Sequence, residues 1–265
     1  MLAPMGTMRS LAVVCSVLAL ARAAGADADV APTETPRVTA EEHPFLHVSD
    51  PTTPSAGTAA AGYAVGLGSG VAADRPLPSS IATAGPSHTF SFAFGVTSAV
   101  APYAAATFGP AGAFANVGLR VQLTDPRSEG PFRLSIAGAF FREPGATVGF
   151  LARAAGSYDV GALRVAANVH LERAFARDRD AIDVVALAGL SYRLVHGLRL
   201  GAEYIGQDLE ELGEGGAEGG AKHYVGPTAA FDLARGRAQL VLGRSFGIGQ
   251  RAARFLGRMA VTVAF

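Results

Sequence analysis

The dominant pattern beyond residue 60 is alternation of apolar residues with small or polar ones. Phe90, Phe92 and Phe94 alternate with serine and alanine, and residues 163–171 place leucine, valine or alanine at every odd position. The even positions of that second segment include arginine, asparagine and histidine. A period of two puts all the apolar side chains on one face of a β-strand, whereas a helix would scatter them around its circumference. The pattern therefore predicts strands.

Twelve segments of the chain share this alternation and are separated by turn signals rich in glycine, proline and aspartate. They lie at 63–71, 90–96, around Tyr103, and at 117–123, 132–140, 148–154, 163–171, 184–194, 198–204, 225–233, 238–242 and 259–265. Each strand with its connection has roughly 17 residues, and a strand that crosses a membrane needs ~9–11. We expect an all-β fold of about twelve strands, or ten if the Tyr63 and Tyr103 segments do not form.

The first 26 residues have the three parts of a secretory signal peptide. Arg9 provides a basic start, residues 11–21 are apolar apart from Ser16, and small residues with an A-x-A spacing come next. The apolar run is too short to span a bilayer as a helix, which takes ~20 residues. The sole cysteine, Cys15, lies inside this run. We therefore expect residues 1–26 to direct export and to be removed.

Residues 27–60 differ in composition from the remainder of the mature chain. They are rich in proline, threonine and alanine, hold six acidic residues and one arginine, and show no sustained period. This composition predicts a disordered linker. His43 and His47 lie four residues apart here, but Pro44 argues against the helix that would make them a metal site. No metal and no cofactor are expected.

Composition and charge exclude several classes. The chain is 49% hydrophobic and 17% charged, with 22 basic and 22 acidic residues. It is too apolar to be disordered and too evenly charged to favour nucleic acid. The signal and the linker hold three of the basic residues and six of the acidic ones, which leaves 19 basic and 16 acidic residues in 61–265. The domain that carries the alternation is therefore slightly basic.

Alternation by itself fits a soluble β-sandwich as well as a membrane barrel, whose apolar face is turned outward to lipid. The last residues distinguish the two. Val261 and Val263 alternate with threonine and alanine up to the terminal Phe265. This ending resembles the C-terminal signature of Gram-negative outer-membrane β-barrels. The resemblance implies an up-and-down barrel over residues 61–265, insertion by the barrel-insertion machinery, and a C-terminus on the periplasmic side.

Aromatic residues fall near the predicted strand ends and form two levels. One level holds Phe132, Tyr158, Tyr192 and Phe265, and the other holds Phe140, Phe150, Tyr204 and Phe246. Two such levels are typical of the aromatic girdles at the membrane interfaces. With the C-terminus in the periplasm, the long connections at 72–88, 173–182 and 208–222 lie outside, as barrels of this class require. The lengths of 124–130 and 142–145 do not follow that rule, which leaves one strand pair open to misassignment.

The polar faces of the strands predict the lining of a lumen. The residues expected to line it are Arg120, Arg133, Arg153, Arg164, Arg193, Arg199, Glu172, Asp183, Glu203 and Asp232. Arginines in a narrow lumen favour anions. We expect a porin-like passive channel for small polar or anionic solutes in the outer membrane of a Gram-negative bacterium, with lipids and solutes as its partners and no enzymatic activity.

Three other interpretations remain open from the sequence. Lumenal arginines and carboxylates can pair and close the bore, which gives a non-conducting envelope or adhesion barrel that displays its loops. A soluble exported sandwich would bury the apolar face instead. His170, near Glu172 and Asp183, could act as a general base in a rim active site. The G-x-S-x-G match at Ser245 lacks an acid or histidine after it, which the hydrolase elbow requires.

Overall fold

The twelve predicted strands form in the computed structural model of the chain. The structure describes residues 45–69, 85–110, 112–126, 130–143, 147–176, 182–207, 209, 222–233, 237–248 and 254–265. The strands are β1 Ala59–Ser69, β2 Gly85–Phe94, β3 Val100–Gly109, β4 Gly112–Gln122, β5 Phe132–Arg142, β6 Val148–Val160, β7 Leu163–Ala174, β8 Asp183–Val195, β9 Leu198–Gln207, β10 Lys222–Leu233, β11 Ala238–Ile248 and β12 Phe255–Ala264. The weaker segments, around Tyr63 and Tyr103, are both strands.

The strands close into one antiparallel barrel in which each pairs with its neighbours in sequence. β1 pairs with β12, with Tyr63 opposite Val261 in the register. The backbone amide of Ala59 donates to the carbonyl of Phe265, 2.8 Å away, and so joins the two ends of the sheet. The prediction of a twelve-stranded up-and-down barrel is confirmed. A two-sheet sandwich is excluded, because all twelve strands belong to a single closed sheet.

Burial along each strand follows the predicted alternation. In β7 the even positions from Arg164 to Ala174 are buried, and Val165, Val169 and Leu171 at odd positions are exposed. Among the described residues, 33 large apolar side chains are exposed, and most of them point away from the barrel axis. A soluble monomer rarely exposes contiguous apolar patches beyond a few hundred Å². The inverted arrangement, with apolar residues outside and polar ones inside, is that of a membrane barrel.

The two ends of the barrel differ in their connections. One end, here called the turn end, has the two-residue connections 161–162 and 196–197, the segment 95–99 and the C-terminus. Gly161 and Gly197 have φ values of 57° and 81° in these tight turns, a conformation that other residues rarely adopt. The opposite end, the loop end, has the long connections 70–84, 175–182 and 208–221. The connection 123–131 lies at the turn end and the shorter connection 143–147 at the loop end, so their lengths do depart from the rule. β4, β5 and β6 nevertheless pair in sequence order, so none of these strands is misassigned.

The predicted aromatic levels lie on the outward face. Phe132 is opposite Tyr158 near the turn end, and Phe140 is opposite Phe150 near the loop end. The rings of Phe140 and Phe150 meet edge to face with centroids 5.6 Å apart. Phe265, at the turn end, is half exposed.

Candidate functional site

The ten residues predicted to line a lumen all occupy inward-facing positions. Arg164, Arg199, Glu172, Asp183 and Glu203 are buried. The other five alternate with outward residues on β4, β5, β6, β8 and β10. Arg193 lies at the turn end of β8, where the side chain is exposed and the register with β9 shifts.

A cluster of ion pairs lies inside the turn end and is centred on Asp159. The Arg164 Nε donates to Asp159 Oδ1 at 2.7 Å, and its Nη2 donates to Oδ2 at 2.8 Å. Arg133 approaches the same carboxylate at 3.3 Å from the neighbouring strand. Such a two-point arginine–carboxylate contact fixes geometry as well as charge. One aspartate thus orients two of the predicted lumenal arginines.

Further from the turn end, two arginines flank one tyrosine. The guanidinium carbons of Arg120 and Arg153 lie 5.8 and 5.6 Å from the centre of the Tyr103 ring, within cation–π range. Arg120 Nη1 donates to the carbonyl of Thr52, and Arg153 Nη1 donates to Ser49 Oγ, each at 2.8 Å. These hydrogen bonds within the described chain go to neutral oxygens, and both oxygens belong to the segment before β1.

That segment, residues 45–53, lies inside the barrel and is called the lumen segment below. Its inner end is held by Glu203, halfway along β9. Glu203 Oε1 accepts hydrogen bonds from the backbone amides of His47 at 2.8 Å and Val48 at 3.0 Å. Glu203 Oε2 lies 3.3 Å from Nδ1 of the His47 ring. Glu203 is 1% exposed, so this carboxylate and the amides that it accepts from are shielded from water.

The lumen segment then crosses the bore to the opposite wall. The Ser49 amide donates to Asn168 Oδ1 at 2.6 Å, and Asn168 Nδ2 donates back to the Ser49 carbonyl at 3.0 Å. The Thr53 amide donates to Gln122 of β4 at 3.2 Å. β9 and β4 lie on different sides of the twelve-stranded ring. The chain therefore passes through the lumen from the middle of β9 to the turn end of β4.

Apolar side chains of the lumen segment also pack on the inner wall. Phe45, Leu46 and Val48 are buried. Gly189 of β8 leaves room for the ring of Phe45, and Gly243 of β11 leaves room for Leu46, because a Cβ at either position would overlap the side chain. These inward glycines form a shallow seat on the β8–β11 side of the wall.

The sequence predicts one disordered linker over residues 27–60, and the structure describes residues 45–58 packed within the barrel or against its turn end. Polar inner-wall groups satisfy the backbone of the segment, and inward glycines receive its apolar residues. These partners lie far away in the sequence, so composition could not reveal them. Residues 27–44 and the predicted signal peptide 1–26 lie outside the described residues.

Among the described residues, neither Glu172 nor Asp183 at the loop end hydrogen-bonds to His170. Glu172 and Asp183 are paired in the β7–β8 register and face inward. Neither ring nitrogen of His170 has a hydrogen-bond partner in the described chain. The described residues therefore offer no carboxylate that orients the His170 ring, which is the feature on which the rim-enzyme hypothesis relies. Asp178 and Asp180 lie outside the described residues.

Several lumenal residues were not predicted from the sequence. Arg258 faces inward on β12, and it lies one residue before the predicted last strand, which begins at Met259. Asn168, Gln122 and Tyr103 bind the segment or the arginines that hold it. The alternation places Asn168 and Gln122 on the polar face, so extending the predicted lining to uncharged polar residues on that face would have included them.

No group of three or more His, Cys, Asp or Glu residues is close enough to hold a metal in the described part of the chain. Over the same residues, no helix is long and apolar enough to cross a membrane.

Comparison with known proteins gives structural matches only. No family model and no curated protein matches the sequence. An outer-membrane channel from Pseudomonas putida F1 matches with a TM-score of 0.57 at 10% identity, covering 83% of this chain and all of that one. The KdgM porin matches with a TM-score of 0.55 at 7% identity, over 78% of this chain and 99% of that one. The NanC porin matches with a TM-score of 0.56 at 7% identity, over 77% and 98%. The chain therefore has the fold of the outer-membrane porins and channels.

Proposed function

We propose that this barrel is a porin-like passive channel for small polar or anionic solutes in the outer membrane of a Gram-negative bacterium. Residues 1–26 would direct its export, and the ending at Val261, Val263 and Phe265 would present it to the barrel-insertion machinery. The outward apolar residues would contact lipid. The observation that carries the proposal is the excess of positive charge on an enclosed inner wall.

The inner wall of the described strands has eight basic residues and five acidic ones. The basic residues are Arg120, Arg133, Arg153, Arg164, Arg193, Arg199, Lys222 and Arg258, and the acidic ones are Asp159, Glu172, Asp183, Glu203 and Asp232. Charges of one sign in an enclosed channel raise the local concentration of the opposite ion. This excess favours anions over cations along the bore.

The lumen segment occupies the positions that such a solute would use. Its Thr52 carbonyl and Ser49 hydroxyl take donors from Arg120 and Arg153, and Asp50 lies 3.6 Å from Arg164. An acidic solute offers stronger acceptors to the same guanidinium groups. Conduction through the full bore would therefore require the segment to move from these arginines.

The class of solute is supported by one structural relative. The KdgM porin has been solved in a complex with disordered oligogalacturonate, which is an acidic sugar chain. At 7% identity the similarity between the two chains is one of fold only. An arginine-lined lumen is chemically suited to the same kind of solute, so we infer small acidic or polar molecules and assign no enzymatic activity.

A second candidate is a non-conducting barrel that displays its loops for adhesion or envelope structure. The observation that favours it is the lumen segment itself, which crosses the bore and is buried there. The two functions differ in whether the segment leaves the lumen.

Planar-bilayer recording with a salt gradient tests the proposed function. The purified mature protein should give stepwise conductance with a reversal potential that favours anions. Arg153→Gln should roughly halve that anion preference, because it removes a full charge beside the path. Arg237→Gln, which removes an exposed charge at the turn before β11, is the matched control and should change it little. An absence of conductance steps would favour the non-conducting barrel, and a cation preference would contradict the proposed solute class.

A further inference from the structure

The outward face of the barrel has an uneven distribution of charge. Its charged positions on the described strands are Arg142 of β5, Arg173 of β7 and Arg244 of β11, and no acidic residue faces outward on them. All three arginines lie in the half of the barrel toward the loop end. Arginine is costly on the lipid face at mid-membrane and far less so near the interface. The loop end of the outer face is therefore suited to anionic groups at a membrane surface.

Two of these arginines lie at the head of an apolar groove. Phe150 of β6 is opposite Phe140 on one side and Arg173 on the other, and the next row places Arg142 opposite Val148. Arg142 on β5 and Arg173 on β7 are therefore paired with successive outward residues of β6, the strand between them. Arg142 and Arg173 are exposed.

The groove runs from these arginines toward the middle of the barrel wall. It has a volume of about 900 Å³. Its floor is made by small residues, Gly138, Ala152 and Ala154, and bulkier side chains such as Leu119 and Leu171 form its sides. A long apolar depression in a surface that already faces lipid is shaped to hold an acyl chain rather than a soluble solute.

We propose that the groove of β4–β7 binds one phosphorylated glycolipid of the lipopolysaccharide type. An acyl chain would lie along Gly138, Ala152 and Ala154, and phosphate would be held by Arg142 and Arg173. This assignment rests on the proposed location in the outer membrane, with the loop end outward. Guanidinium groups bind phosphate through two parallel hydrogen bonds. The apolar groove below them distinguishes a lipid from a free anion.

Arg244 offers a natural comparison on the far side of the barrel. Its guanidinium carbon lies 5.0 Å from the Phe246 ring centre and 4.2 Å from that of Phe255. It has the same outward direction and loop-end position, but it lies on β11, outside the groove of β4–β7. A site that depended on outward charge alone would use Arg244 as well.

Binding of purified lipopolysaccharide to the mature protein in detergent micelles tests the site. We expect saturable binding that falls at least about tenfold in Arg142→Gln/Arg173→Gln. Ala152→Leu, which fills the floor with a side chain compatible with lipid, should weaken binding similarly without changing charge. Arg244→Gln should bind as the wild type does. Dephosphorylated lipopolysaccharide should bind weakly, and inorganic phosphate should not compete at equal concentration.

Equal binding by the wild type and the double arginine variant would overturn the proposal, as would a loss that is no greater than in Arg244→Gln. Equal competition by inorganic phosphate would reduce the site to a simple anion site, and unchanged binding in Ala152→Leu would remove the groove from it. Heat-modifiable gel migration shows whether each variant is folded. Because binding is measured in micelles, a failure to conduct ions in a bilayer would contradict the proposed function and leave this result intact.

Discussion

A disulfide that holds the lumen segment in place should nearly abolish conductance, and its reduction should restore it. The Asn168 side chain exchanges two hydrogen bonds with the Ser49 backbone, at 2.6 and 3.0 Å, so the segment and the β7 wall are direct neighbours here, and the pair Ser49→Cys/Asn168→Cys is the site chosen for the bond. The sole natural cysteine, Cys15, lies in the predicted signal peptide. Oxidised channels should carry only a small fraction of the current. After a thiol reductant is added, the current should rise severalfold, because the segment has lost its Asn168 contacts and can leave.

The single variants control for this result. Neither Ser49→Cys nor Asn168→Cys can form the bond, so neither should respond to oxidant or reductant. Asn168→Cys should conduct more readily than the wild type, because it has lost both hydrogen bonds to Ser49. Equal currents in the oxidised and reduced double variant would show that the segment does not control the bore. Gel mobility of the oxidised protein confirms that the bond formed.

Removal of the Glu203 carboxylate should release the inner end of the lumen segment. Glu203 accepts from two backbone amides and contacts the His47 ring, and all of these groups are buried. Loss of one partner from a buried charged network typically costs about 3–5 kcal/mol. In Glu203→Ala, the same groups can regain hydrogen bonds only if the segment moves into water. A thiol at Val48, introduced as Val48→Cys, should then react with a water-soluble maleimide on the order of 100 times faster.

Asp232→Ala provides the matched control for that measurement. Asp232 is also an inward carboxylate, but its hydrogen bond within the barrel goes to Gln239 at 3.0 Å, on the neighbouring strand. Its removal should leave the labelling rate of the Val48 thiol close to that of the parent. Equal labelling rates with and without Glu203 would mean that other contacts suffice to retain the segment.

The strands could be predicted because their pattern is local. A period of two is visible within each segment, because a strand with one buried polar face and one exposed apolar face must alternate polar and apolar residues. Several strands extend beyond the prediction, as β7 does from Leu171 to Ala174. The extension contains Glu172, which faces the lumen, and Arg173, which faces the membrane surface. Neither has the apolar side chain by which the sequence pattern identifies an outward strand position.

The lumen segment could not be predicted because its partners are remote. Val48 and Glu203 are 155 residues apart, and Ser49 and Asn168 are 119 apart. The segment is neither a strand nor a helix, so its sequence has no need of the hydrophobic period that identifies those elements. Its proline and threonine content is that of a linker. Only the closed barrel creates the polar wall and the glycine seat that retain it.

The inward arginines could be placed on a face, but their bonding could not be assigned. Alternation puts Arg133 and Arg164 on the lumenal side. It does not show that both converge on Asp159, a residue next to a turn and absent from the predicted lining. Similarly, Tyr103 lies in one of the weakest predicted strands and nevertheless lies between two arginines. Such groupings depend on the register between strands, which the sequence pattern leaves undetermined.

The most direct test of the central claim is the environment of the outward face of β7 in a lipid bilayer. Spin labels at Val165→Cys and Val169→Cys, on either side of Ala167, should be relaxed strongly by oxygen and hardly at all by a water-soluble nickel complex. A label at Asp125→Cys, in the exposed connection after β4, should show the opposite preference. Ready access of the nickel complex to both β7 labels, in a protein that stays monodisperse without detergent, would contradict the account of a membrane-spanning channel.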